Sequence, residues 1–118
     1  MFLDCFVRGA NLVVRPAGEL DLQVADFFRN QLERHLATAG VKNLVLNLSK
    51  VSFIDSSGLG VILGRYRRVK AQGGKVAIVN APSPVGRLLE LAGLHKLVHF
   101  YASEEEALGE LAKGEERE

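Results

Sequence analysis

The feature that most constrains the fold is a change of hydrophobic period within residues 45–64. An apolar run of strand length at residues 45–48 gives way to apolar residues at helical spacing, namely Leu59, Ile62, Leu63, Tyr66 and Val69. The segment predicts a strand that leads into a helix over residues 57–72. Asp55, Ser56 and Ser57 form the junction, and any of the three can cap the helix through its short side-chain oxygen.

The predicted helix carries three glycines in its first half, at positions 58, 60 and 64. Each glycine costs roughly 1 kcal/mol relative to alanine in a helix interior. We therefore expect tertiary packing to hold this helix, with its backbone close to a neighbouring element.

The rest of the chain alternates between strand and helix patterns. A hairpin at residues 2–7 and 12–15 comes first, and the first helix follows Asp21, which lies at its start and can cap it. Further strands are predicted at 43–48, 75–79 and 98–101, and helices at 85–92 and 103–113. This order predicts an α/β fold: one domain at residues 1–113, a mixed, mostly parallel sheet with an N-terminal hairpin, and helices packed against it. Residues 114–118 are predicted to form an acidic C-terminal tail.

Composition excludes several classes of function. The formal net charge of +1 over 118 residues argues against a dedicated nucleic-acid-binding protein. A single cysteine, Cys5, forms no internal disulfide, and no leader or run of 18 apolar residues is present, so we expect a cytoplasmic protein without a membrane partner. No phosphate-binding loop or kinase motif is found, which predicts no cofactor and no enzymatic activity. His95 and His99 are four residues apart, but that interval crosses from a helix end into a strand, so no metal site is predicted.

The segment D-S-S-G-L-G at residues 55–60, followed by V-I-L-G-R-Y-R-R, resembles the phosphorylation-site segment of bacterial anti-sigma factor antagonists of the sporulation type, members of the STAS domain family. G-E-L-D at residues 18–21 matches a second motif of that family. The resemblance implies a protein that binds an anti-sigma factor kinase and so releases a sigma factor. It also implies that the kinase phosphorylates Ser57, which ends binding, and that a serine phosphatase acts on phosphorylated Ser57.

The predicted partner-binding surface combines the two motifs with the basic residues after them. The resemblance places Asp21 near the partner, and we expect Val61 to be an exposed apolar contact and the arginines to steer an acidic partner. The alternative for the serines and aspartates is helix capping, and for the arginines a solvated face. The predicted set is Asp21, Asp55, Ser56, Ser57, Gly58, Leu59, Val61, Arg65, Arg67 and Arg68.

Two other functions remain open from the sequence. The chain can be a STAS module of a transporter or of a stress-signalling complex. It can also be a receiver-like domain in which Asp55 accepts an acyl phosphate. Treatment with hydroxylamine distinguishes the receiver-like domain from the antagonist, because it removes acyl phosphate and leaves phosphoserine intact.

Overall fold

The computed structural model of the chain describes residues 1–116. The elements in chain order are β1 (Phe2–Arg8), β2 (Asn11–Leu20), α1 (Ala25–Leu36), β3 (Asn43–Asn47), β4 (Lys50–Ile54), α2 (Ser56–Ala71), β5 (Val76–Val79), α3 (Ser83–Leu91), a 3₁₀ turn (Leu94–Lys96), β6 (His99–Tyr101) and α4 (Glu104–Glu116). Of the predicted tail, residues 114–116 continue α4, while Arg117 and Glu118 lie outside the described residues.

The strands form one mixed sheet in the order β1-β2-β3-β5-β6, with β4 paired to the second half of β2. β1 is antiparallel to β2, and the other pairings are parallel. The predicted α/β fold with an opening hairpin is confirmed. The hairpin's second strand is longer than predicted, because β2 continues to Leu20 through a register irregularity at Gly18 and Glu19.

β4 is absent from the sequence-based prediction. Burial does not alternate along its five residues, since Ser52 and Phe53 are both exposed between the buried Val51 and Ile54. β3 and β4 pair with successive halves of β2, at residues 11–14 and 17–20. Pro16 lies between the two halves, at the point where β2 changes partner. Neither ladder needs a hydrogen bond from this position, so proline, which has no amide hydrogen, is tolerated there. β4, rather than β3, therefore leads directly into α2.

Helices cover both faces of the sheet. The side chains of β2 and β3 alternate between the faces: Leu12, Leu44 and Leu46 pack under α1, α2 and α3, whereas Val13 and Val45 pack under α4. The buried helical residues of the first face are Ala25, Phe28, Leu32, Leu36, Val61, Ile62, Val69, Val85 and Leu89. Ala107 and Leu111 fill the second face.

The start of α4 is fixed by polar contacts. The Ser103 hydroxyl accepts a hydrogen bond from the Glu106 amide (3.1 Å), as the capping prediction requires. The Glu104 carboxylate accepts two bonds from the Arg15 guanidinium (both 2.7 Å) and one from the Asn47 amide group (2.7 Å). The Arg15 hydrogen bonds hold the pKa of Glu104 below its ordinary value. These contacts tie α4 to β2 and β3.

The expected close approach of α2 occurs at one of its three glycines. A β-carbon on Gly58 would overlap the carbonyl group of Leu20 at the end of β2. β-carbons on Gly60 and Gly64 would meet nothing within 4 Å. The expectation is therefore confirmed for Gly58 and wrong for the other two.

Gly58→Ala and Gly60→Ala form a matched pair in one helix. We expect Gly58→Ala to lower the free energy of unfolding by about 1–3 kcal/mol, because the methyl group cannot be accommodated against rigid backbone. Gly60→Ala should raise it by about 0.5–1 kcal/mol through helix propensity alone. Urea denaturation of both variants measures the difference, and equal effects would show that Gly58 has no packing role.

Candidate functional site

The predicted site residues Asp21 and Asp55 lie side by side at the carboxyl edge of the sheet. Leu20 is paired with Ile54 in the β2–β4 ladder, and an aspartate follows each. The Asp55 amide donates to the Leu20 carbonyl (3.2 Å), which continues the pairing by one residue. This is the edge at which α/β folds usually bind ligands and partners.

Asp55, rather than either serine, caps α2. Its Oδ1 accepts hydrogen bonds from the amides of Ser57 (2.9 Å) and Gly58 (3.1 Å). Its Oδ2 accepts a third bond from the amide of Leu22 (3.1 Å), in the loop between β2 and α1. One carboxylate thus fixes the first turn of α2 and the loop that carries Asp21.

The two serines occupy the first two positions of α2, with Ser56 exposed and Ser57 half-buried. Within the described part of the chain, neither hydroxyl takes part in a hydrogen bond. Both hydroxyls stand at the positive end of the helix dipole. A group of negative charge attached to Ser57 would meet a favourable potential there.

Asp21 does not cap α1. Its Oδ1 accepts from the amide of Gln23 (3.1 Å) within its own loop, while α1 begins at Ala25 and its first turn has no side-chain cap bond. The capping alternative for Asp21 is therefore wrong. Its neighbour Leu22 is 74% exposed, and sequence reasoning missed it. The available signal was an apolar residue in a polar loop, outside the apolar stripe of α1.

Val61 corrects another expectation. It is only 5% exposed and belongs to the main core, so it is not a surface contact. The residues of α2 that face the interior are Gly58, Val61, Ile62 and Val69. The stripe predicted through Leu59, Leu63 and Tyr66 lies at the margin of this face, where these side chains are half-buried. The buried face of α2 includes Gly58, which has no apolar side chain, so hydrophobic spacing alone did not reveal this face.

The arginines of α2 differ in their surroundings. Arg65 and Arg68 both form ion pairs with Glu33 of α1, with a distance of 2.9 Å from Arg65 Nε to Glu33 Oε1. Burial, and secondarily the charge of Arg29, lower the pKa of Arg65. Arg67 is exposed and has no ion pair within residues 1–116. No acidic residue stands among the three arginines in the sequence, but in the fold Glu33 of α1 pairs with Arg65 and Arg68. Arg67 is the exposed arginine of the three.

Residues 1–116 contain neither a cluster of metal ligands nor a membrane-spanning helix. No three His, Cys, Asp or Glu side chains lie together in a way that could hold a metal ion. No helix in that range is long and apolar enough to cross a membrane.

Comparison with known proteins links this chain and its fold to a family. The STAS domain model matches residues 5–107. An anti-sigma F factor antagonist of Paenibacillus polymyxa is 43% identical over 100 residues, which cover 85% of this chain and 86% of the relative. The solved structure of the anti-sigma factor antagonist SpoIIAA in its unphosphorylated form is 28% identical, with a TM-score of 0.83 over 95% of this chain and 97% of that chain. The phosphorylated form of the Bacillus cell fate determinant SpoIIAA has the same identity and a TM-score of 0.74 over 92% and 98% of the two chains.

Substitutions at Asp55 separate its two structural roles. Asp55→Ala should lower the free energy of unfolding by about 2–3 kcal/mol, because it removes a helix cap and a charged bond to the loop. Asp55→Ser keeps a cap and should lower it by only about 1 kcal/mol. Amide hydrogen exchange should speed up at Leu22 in both variants, and at Ser57 and Gly58 only in Asp55→Ala.

Ser56→Ala is the control for these variants, and it should change stability by less than about 0.5 kcal/mol. If Leu22 exchanges at the wild-type rate in Asp55→Ala, the carboxylate does not hold the loop.

Proposed function

The chain belongs to the STAS domain family, and we propose that it is an anti-sigma factor antagonist that captures an anti-sigma factor kinase, so releasing a sigma factor. Phosphorylation of Ser57 by that kinase ends the capture. The relatives named above as antagonists support the general function. The observation that carries the finer proposal is the position of Ser57. Its hydroxyl has no hydrogen-bond partner in the described chain and lies at the start of α2, where the Asp55 carboxylate also holds the loop that carries Asp21.

The proposed partner-binding surface consists of solvent-accessible groups at this edge and further along α2. Leu22 is a new member, because a leucine with 74% exposure next to Asp21 supplies apolar area at the centre of a polar rim. Asp55 and Gly58 act by position, through the bonds of the cap and the contact with β2. Val61 is excluded by its burial. The proposed contact set is Asp21, Leu22, Ser56, Ser57, Leu59 and Arg67.

Arg65 and Arg68 have a structural role and are not part of the proposed contact set. Their ion pairs with Glu33 join α2 to α1, the helix that follows the Asp21 loop. Arg67 carries the exposed charge from which steering of an acidic partner would come. The basic flank is thus divided between structure and recognition.

The switch follows from two effects of opposite sign at Ser57. A phosphoryl group adds about −1.5 to −2 charges and three acceptor oxygens. At the helix start this charge is neutral to stabilising, by up to about 2 kcal/mol. Within an interface the same group adds bulk and repels any acidic group of the partner, at a cost of several kcal/mol. The interface effect is larger, so phosphorylation blocks binding and leaves the fold intact.

The reverse step requires a serine phosphatase that reaches the same exposed helix start. A kinase that uses ATP, its phosphatase and a sigma factor all operate in the cytoplasm, and we assign the protein to that compartment. The geometry of Asp55 disfavours the receiver-like alternative. Both of its carboxylate oxygens already accept amide hydrogen bonds, and an acyl phosphate on either would break them. The antagonist names of the relatives favour this function over that of a transporter module.

The central test uses purified kinase and phosphorylated protein. Phosphorylation should weaken binding to the anti-sigma factor by at least 100-fold, equivalent to about 2.7 kcal/mol, while the melting temperature changes by only a few degrees. Calorimetric titration and thermal denaturation of both forms measure these quantities. The phosphate should survive hydroxylamine.

Ser57→Ala and Ser56→Ala are the matched controls. Ser57→Ala should accept no phosphate and bind constitutively, whereas Ser56→Ala should behave as wild type. Phosphate on Ser57→Ala would refute the site assignment. A large drop in melting temperature on phosphorylation would show that the switch acts by unfolding.

Removal of the exposed charge should change the association rate selectively. Arg67→Ala is expected to lower the on-rate several-fold at low salt and to leave the off-rate unchanged, since exposed charges are screened beyond about 10 Å at 0.1 M salt. Lys113→Ala on α4, across the sheet, removes the same charge and should leave the on-rate unchanged. Surface plasmon resonance at several salt concentrations distinguishes the two variants. An effect of Arg67→Ala on the off-rate alone would contradict steering.

A further inference from the structure

The outer edge of β1 has no covering element. β1 is seven residues long and lies at the end of the sheet, paired only with β2. Beyond that pairing, no backbone hydrogen bond in the described part of the chain reaches it. The strand contains no proline or lysine, and its pairing with β2 has no bulge, so the only protection of this edge is its two charged residues, Asp4 and Arg8. The opposite edge strand, β6, is protected by being only three residues long.

The hairpin pairing shows which backbone groups of β1 face outward. Gly9, with φ +60°, and Ala10 form a two-residue turn, and the residues flanking it, Arg8 and Asn11, are paired. In such a turn the flanking pair exchanges hydrogen bonds, and hydrogen-bonded pairs then alternate along the ladder. The even-numbered residues of β1 therefore bond to β2, and Leu3, Cys5 and Val7 direct their amides and carbonyls outward.

Pro16 supports this assignment independently. It stands opposite Leu3 in the ladder, and proline has no amide to donate. A proline fits this position because Leu3 and Pro16 form a non-hydrogen-bonded pair.

We propose that a second copy of this chain binds this edge, with the two β1 strands antiparallel and Cys5 of one copy opposite Cys5 of the other. In this register Leu3 lies opposite Val7 of the second copy. All three outward-facing residues of each copy are then paired, which gives six backbone hydrogen bonds across the two-fold axis. Registers shifted by two residues leave Leu3 or Val7 of each strand unpaired within β1.

The side chains of β1 are complementary to themselves in this register. On the α1 side, Leu3 covers Val7 of the second copy, which is 45% exposed in the monomer. On the other side, Asp4 lies diagonally across from both Arg8 and Asp4 of the second copy; each Asp4 is paired with Arg15 of its own chain at 3.2 Å, which offsets the like charges. The contact area of one strand pair is small, and the dimer is therefore reversible and dependent on concentration.

The dimer leaves the Ser57 site open. Ala17 of β2 is paired with Phe2 on one side and with Lys50 of β4 on the other, so β1 and β4 flank β2 from opposite sides. The site lies where β4 meets α2, and the outer edge of β1 points away from it. Each dimer thus presents two independent sites.

Sedimentation over a range of concentrations tests the assembly with the reduced full chain. The wild-type mass should rise from the monomer toward twice that value. Val7→Lys places a charge on the edge and should abolish this rise while the melting temperature stays within a few degrees of wild type. Phe53→Lys, at a strand residue of nearly equal exposure on β4, should dimerise as wild type.

Nuclear Overhauser effects test the register. In an equimolar mixture of isotope-labelled and unlabelled protein, the Asp4 Hα of one copy should contact the Phe6 Hα of the other, because non-hydrogen-bonded pairs have Cα atoms about 4.5 Å apart. A monomeric wild type at all concentrations would overturn the proposal. So would dimerisation that survives Val7→Lys, that is lost in Phe53→Lys, or that gives intermolecular contacts outside β1.

Discussion

The site depends on the contact between the first turn of α2 and the end of β2. Gly58 allows this contact, because any side chain there would occupy the space of the Leu20 carbonyl. The Asp55 carboxylate completes the contact by accepting hydrogen bonds from amides of the first turn of α2 and of the loop after β2. The position of Ser57 relative to Asp21 and Leu22 is therefore set by backbone packing and three hydrogen bonds.

This arrangement is compatible with the proposed regulation by local charge. A phosphate on Ser57 would meet a helix start that is favourable to an anion. A switch of this kind changes the surface that a partner meets and does not draw on the stability of the domain. The stability of α2 comes instead from buried residues such as Val61 and Ile62, and from the ion pairs of Arg65 and Arg68 with Glu33.

The strands that pair with the two sides of β2 have different functions. On one side β4 carries the chain into α2 and the candidate site. On the other side β1 offers unpaired backbone groups to a second copy. The far face of the sheet is closed by α4, whose start is held by Glu104 through Arg15 and Asn47. Recognition, self-association and closure of the core thus use separate surfaces.

The sequence alone determined the α/β class, the hairpin, the order of most elements and the residues of the two motifs, because hydrophobic period, glycines and capping residues are local signals. Tertiary structure decided what depends on neighbours distant in the chain. β4 pairs with the half of β2 that follows Pro16, Val61 is buried because it shares the inward face of α2 with Gly58 and Ile62, and Arg65 and Arg68 meet Glu33 because α1 packs beside α2. The choice of Asp55 as cap and the exposure of Leu22 likewise follow from the approach of two loops at one sheet edge, which no local pattern encodes.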